Sequence, residues 1–204
     1  MKTLIFTFMV IFSLSSYGQV KYEKAMGEAL KTWSSGNAKE ASAQFERIAQ
    51  VEKDNWLPKY YQALTLVTSS FQIHDETEKS NVLKKIGKLI PTDEKDLNSE
   101  WLVVRALATT SDMITDPAGK AAILAPSIMG DYETAIKMDP NNPRAIVGLA
   151  EFSMQSKKFM GGDSKEECES IQKALPLYDT KKSDQPFYPS WGKERAEALL
   201  KECK

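Results

Sequence analysis

The stretch Asp139-Pro140-Asn141-Asn142-Pro143 separates two helical patterns, and its reading decides the fold. Each proline removes a backbone donor and pins φ, so neither helix runs through the segment. Tyr132 and Ala135 precede it, and Ala145, Leu149 and Ala150 follow it, at the spacing that places apolar residues on one helix face. Small residues on both sides of a stiff joint let the two helices cross closely. A joint of this kind is expected between two helices that pack side by side as an antiparallel pair.

Outward from the joint, apolar residues keep helical spacing nearly everywhere after residue 20, with Gly and Pro at the ends of the runs. No segment alternates as a strand does, so the chain is expected to be all-α, built from antiparallel helix pairs. A first helix over about 20–35 carries Ala25, Ala29, Leu30 and Trp33, and Ser34-Ser35-Gly36-Asn37 closes it with the glycine that a helix end favours. A second over about 38–53 aligns Ala41, Phe45, Ile48 and Ala49. Trp56-Leu57-Pro58 opens a third that continues to about Phe71, and Asp75 is the expected cap of a fourth over about 76–89. A helix over about 95–115 follows, Asp116-Pro117 starts the next, and Pro126 is expected to break or kink it before it ends near Met138. The last pair covers about 143–157 and 165–175, joined by Phe159-Met160-Gly161-Gly162-Asp163. Gly161-Gly162 has no strand before it and no Lys-Ser pair after it, so it reads as a permissive turn and not as a phosphate-binding loop. A terminal helix over 191–203 carries Trp191, Ala198 and Leu199 to cover the open end of the stack.

The N-terminus is of another kind. Lys2 precedes an apolar run from Leu4 to Leu14, and Ser16-Tyr17-Gly18 places small residues where signal peptidase cuts. Residues 1–18 therefore read as a signal peptide cleaved after Gly18, with residues 19–204 as one exported helical domain, periplasmic or secreted. The run is short against the roughly 20 residues that span a bilayer, so no membrane insertion is expected after cleavage. The whole chain has 27 basic and 28 acidic residues, a formal charge of −1, and gives no electrostatic reason to expect nucleic acid. Cys168 and Cys203 are its two cysteines, in a compartment where disulfides persist. If their helices pack antiparallel, the start of one meets the end of the other and a bridge can form; unrelated thiols are the alternative.

The motifs together resemble a protein family. Gly36, Ala41 and Phe45 in one unit, then Tyr132, Ala135, Asp139-Pro140-Asn141-Asn142 and Leu149-Ala150 across two others, are similar to the tetratricopeptide repeat, whose period is about 34 residues. Met113-Ile114-Thr115-Asp116-Pro117, Phe159-Met160-Gly161-Gly162 and Pro189-Ser190-Trp191-Gly192-Lys193-Glu194, in that order, strengthen the resemblance toward exported tetratricopeptide-repeat proteins of Gram-negative bacteria with undefined role. The resemblance implies degenerate repeats at about 20–55, 56–90, 95–140 and 142–176, the third of them irregular, and a capping helix at 191–203.

A search for chemistry yields little. His74 is the single histidine and is expected to be a solvated loop residue beside Asp75. Neither cysteine lies in a C-x-x-C pair, so no metal, cofactor or catalytic set is expected. The acidic pairs Glu166-Glu167 and Asp93-Glu94 sit where helix dipoles favour them. In stacked repeats the first helix of each pair lines the concave face, which makes Trp33, Tyr60, Leu64, Arg105, Arg144, Val147 and Glu151 the expected partner contacts. The leading expectation is a non-enzymatic scaffold that holds a protein or peptide there. The alternative is a periplasmic receptor or transporter accessory for a small ligand, with a closed apolar pocket.

Overall fold

Side-chain caps set where most of the helices begin. The computed structural model of the protein describes residues 19–180 and 183–203, so the expected signal peptide and its cleavage after Gly18 lie outside the described residues. Helix α1 covers 19–34, and Gly36 in the left-handed region (φ 87°) turns the chain into α2 (Ala38–Val51). There the Asn37 side chain accepts the Glu40 N–H. Helix α3 (Trp56–Ser70) follows, then α4 (Glu76–Leu89), capped by Asp75, which accepts the Glu78 N–H at 2.7 Å. A short turn of 3-10 helix at Glu94–Asp96 leads to α5 (Ser99–Met113), capped by Asn98. Asp116 caps α6 (Pro117–Met138), and Asn142 caps α7 (Pro143–Met160). Each of these last two helices places a proline in its first turn, where the missing N–H costs nothing. Helices α8 (Lys165–Ala174), α9 (Leu177–Thr180) and α10 (Lys193–Glu202) complete the chain. The fold is all-α, as the sequence indicates.

The chain forms two compact units whose boundary falls inside α3, between Thr65 and Leu66. In the first, Met26, Ala29, Ala41, Phe45, Leu57 and Tyr60 are fully buried. Tyr61 stacks on Phe45 at 5.5 Å between ring centroids and meets Trp33 edge-on at 6.3 Å. Ala29 and Ala41, both fully buried, add little bulk to the same unit.

The second unit is built on the α5–α6 pair. Leu102, Val103 and Ala106 of α5 pack against Ile128, Tyr132 and Ala135 of α6, with Ala145 and Phe152 of α7 closing the cluster. Burying a side chain of the size of Ile128 stabilises by about 1.5–3 kcal/mol. Of the break or kink expected at Pro126, the break does not occur: helix α6 runs through that residue. Pro126 and Ala122, the residue whose carbonyl it cannot serve, are both exposed, so water satisfies the carbonyl while the buried face holds the helix together. A second cluster joins Val147, Ala150 and Met154 of α7 to Ile171 and Ala174 of α8 and to Ala196 and Leu199 of α10. Helix α10 thus covers the α7–α8 pair, starting two residues later than expected because Gly192 (φ 103°) turns the chain into it. Cys168 and Cys203 are joined in a disulfide that ties α8 to the end of α10. Gly161 ends α7 in the left-handed conformation (φ 75°), so the glycine pair is the turn that its composition suggests.

Candidate functional site

Two helical stripes face each other across an open cleft in the second unit. Ser80, Leu83, Lys84 and Gly87 lie along one face of α4, and Arg105, Ala108, Thr109 and Asp112 lie along one face of α5. Both sets follow the i, i+3, i+4, i+7 spacing that aligns side chains on a helix. Ser80, Gly87 and Ala108 are too small to fill the space between the helices, and a Cβ added at Gly87 would meet nothing within 4 Å. Ile90, Pro91 and Leu124 close the apolar end, and the space amounts to about 650 Å³. A further 400 Å³ extends along the same face of α4, sharing Ser80, Leu83 and Asp112 and reaching Glu76, Lys79, Thr115, Asp116 and Lys120. The size is that of a small-molecule site, for which about 300–1,000 Å³ is usual.

The charged groups of the cleft are held differently from one another. Arg105 clamps Asp131 of α6 with two hydrogen bonds, Nε to Oδ2 at 2.9 Å and Nη2 to Oδ1 at 2.6 Å. Its side chain stays 41 % exposed, so the remaining donors of the guanidinium are open to a ligand. The bond to Asp131 also raises its pKa further, which keeps a fixed positive charge at the rim. Lys120 donates to the Asp112 carboxylate at 2.7 Å and to the Thr115 hydroxyl at 2.8 Å. Asp116 accepts the Gly119 N–H as the cap of α6. Lys79 is different: it is 6 % exposed, and its ammonium takes part in no hydrogen bond or ion pair among the described residues.

The groove residues expected from sequence divide sharply. Arg105 lines the cleft. Trp33 is half-buried against Tyr61, in the first unit. Glu151 is half-buried and binds Arg195 of α10, whose Nε donates to its Oε1 at 2.8 Å. Tyr60, Leu64, Arg144 and Val147 are buried, which corrects the expectation that they present themselves to a partner. For Tyr60, Leu64 and Val147 the cause is register, since one residue along a helix turns a side chain by about 100°. Arg144 is interior because Glu100 waits for it there: its Nε donates to Oε2 at 2.8 Å and its Nη2 to Oε1 at 2.6 Å. His74 is exposed in the loop before α4, as expected.

Sequence reasoning missed Ser80, Leu83, Gly87, Ala108 and Lys79. The stripe of α4 beside buried Ile86 carried the signal: Ser80 and Gly87, two turns apart, opposite Ala108 on α5. Small residues ordinarily mean close helix packing, and only the tertiary arrangement distinguishes that from an opening.

A second hollow, of about 1,010 Å³, lies where α7, α8 and α10 meet, around Gly161, Gly162, Cys168 and Cys203. Its walls include Lys158, Asp163, Lys165, Glu169 and Glu202, and they present about as much apolar surface as the α4–α5–α6 cleft but far more polar surface, so the apolar character that small-molecule sites favour is diluted.

No protein-family profile matches the sequence, and no curated protein matches it either. Among solved structures, the chain is similar to the HusA haemophore from Porphyromonas gingivalis, at 23% identity and a TM-score of 0.71, over 90% of this chain and 92% of that one. The likeness extends over nearly the whole of both chains and concerns the fold.

Proposed function

We propose that the protein is a non-enzymatic binding protein of the cell envelope that carries a small amphipathic ligand of the tetrapyrrole class in the α4–α5–α6 cleft. The observation that carries this reading is the cleft itself. Leu83, Ile90, Pro91, Ala108 and Leu124 offer apolar surface to a flat ring system, and Arg105 and Lys84 stand where acidic substituents would emerge. The likeness in fold to a haemophore supports the ligand class. The Cys168–Cys203 disulfide suits an oxidising compartment and so supports export. Capture of a protein or peptide loses its support with the burial of Tyr60, Leu64, Arg144 and Val147.

Among the described residues no His, Cys, Met or Tyr lines the 650 Å³ part of the cleft, so recognition falls on the macrocycle and its substituents and not on a bound iron. Metal-free protoporphyrin IX and haem should therefore bind with similar affinity. Titration with each, followed by Soret absorbance and by quenching of tryptophan fluorescence, should saturate at one ligand per chain. Gly87→Trp fills the cleft from a position with open space around it, and it should abolish the saturable change while thermal stability is kept. Absence of saturable binding to the unaltered chain, or undiminished binding by Gly87→Trp, would overturn the assignment.

A further inference from the structure

A lysine with nine-tenths of its surface covered ordinarily lays its stem on apolar surface and brings its ammonium to water or to a carboxylate. The Lys79 ammonium reaches the open cleft, and no carboxylate among the described residues binds it. The residue is 6 % exposed, lines the narrow 400 Å³ end of the cleft, and takes part in no hydrogen bond or ion pair among the described residues. Its neighbours explain why none of them serves. Asp112 is engaged by Lys120 at 2.7 Å, Asp116 caps Gly119, and Glu76 is exposed in the first turn of α4. Thr115 and Ser80 line the same space with hydroxyls that can accept or donate a hydrogen bond. Ser80 and Leu83 continue from this end into the apolar part of the cleft.

We propose that Lys79 receives a carboxylate of the ligand whose apolar body lies between α4 and α5, so that the cleft binds an amphipathic acid end-on. The proposal rests on the cleft being the ligand site and adds which end of the ligand enters first. The two ammoniums of Lys79 and Lys120 stand against the three carboxylates of Glu76, Asp112 and Asp116. This end is consequently no general trap for anions. An acid is retained here only when its apolar part is already held by Leu83, Ala108 and Leu124. Inorganic anions alone should bind weakly for the same reason.

The test uses two pairs of probes that differ only at the acidic group: protoporphyrin IX with its dimethyl ester, and dodecanoate with dodecanol. A charge-assisted contact contributes on the order of tenfold or more in affinity. The unaltered chain should prefer each acid by about that factor, Lys79→Gln should remove the preference while ester and alcohol affinities stay the same, and Lys79→Arg should restore part of it. Lys79→Gln leaves no carboxylate unpaired, and its circular dichroism and melting temperature should match those of the unaltered chain. An acid preference that persists in Lys79→Gln overturns the proposal and leaves the porphyrin site standing. Lys79-dependent binding of dodecanoate without porphyrin binding supports the proposal and overturns the tetrapyrrole reading. Binding of no probe at all overturns both.

Discussion

Glu100 and Arg144, 44 positions apart, form a two-point ion pair in the interior of the second unit, with side chains 1% and 3% exposed. The joint between α6 and α7 is wired into the same pair. Asn142 accepts the Arg144 N–H with Oδ1, and its Nδ2 donates to Glu100 Oε1 at 2.9 Å and to Ser99 Oγ at 2.7 Å. Ser99 in turn donates to the Ala135 carbonyl near the end of α6. The Trp191 ring lies 5.9 Å from the guanidinium. Asp139-Pro140-Asn141-Asn142-Pro143 is thus more than a spacer, since it fixes the start of α7 against the start of α5.

Removing one member of this pair leaves a buried charge uncompensated, so Arg144→Met should cost about 3–5 kcal/mol. Glu100→Leu should cost a similar amount. The double variant should cost less than the sum of the two, by about 1–3 kcal/mol, because neither charge is then stranded. Urea unfolding of the four proteins gives the cycle directly. Strict additivity would show that the two residues do not act as a pair.

Two glycines in the second unit should respond in opposite ways to the same change. At Gly148 a Cβ would stand 2.4 Å from Tyr132 Cε1, in the core between α6 and α7, so Gly148→Ala should destabilise by about 1–3 kcal/mol. At Gly87 the added methyl meets only the open cleft, and Gly87→Ala should stabilise α4 by about 0.5–1 kcal/mol. Melting temperatures that fail to move in opposite directions would contradict the packing described for one of these sites.

High pH should act through one buried and two half-buried tyrosines, Tyr132, Tyr178 and Tyr188. Burial first, and then the charge of Glu100, push the Tyr188 hydroxyl up to about 12, with Arg144 pulling the other way. Tyr132 and Tyr178 are raised as well, burial again being the largest cause. An unfolded tyrosine ionises near about pH 10, so above that pH the unfolded chain releases protons which the folded chain retains. The stabilisation is therefore complete below about pH 10 and is lost as the pH rises through about 12. Urea midpoints between about pH 8 and about pH 12 should stay level and then fall, and Tyr188→Phe should make the fall shallower. A flat profile over the whole range would refute this account.

Helix existence was legible because it rests on local chemistry. The cap at Asp75, the stop at Gly36 and the Asp139-Pro140 joint each act through the few residues around them, and the structure places a helix end at all three. Pro126 was misleading because its effect depends on which side of α6 meets water, a property of the tertiary structure. Arg144 misled for a related reason: a charged residue reads as exposed until its partner is known, and Glu100 is too distant in sequence to announce itself. The cleft was least legible of all. Empty space is made by what two stripes lack, and neither α4 nor α5 records separately that the other also carries small residues there.

Cys168 and Cys203 close a loop across 35 positions, tying α8 to the end of α10. Cross-linking a loop of that length should stabilise by about 4 kcal/mol through the entropy removed from the unfolded chain. The part of the fold that depends on it is the second cluster, where Ala196 and Leu199 of α10 cover Val147, Ala150 and Ile171. The Cys168→Ser, Cys203→Ser double variant should accordingly melt at a lower temperature and show faster amide exchange in α10 and α8 than in α5 and α6. The α4–α5–α6 cleft has no wall in common with that cluster, so its ligand affinity should be unchanged by the loss of the bridge. Equal protection of α10 in the bridged and unbridged chains would show that apolar packing alone holds the terminal helix, and that the disulfide acts only on the unfolded state.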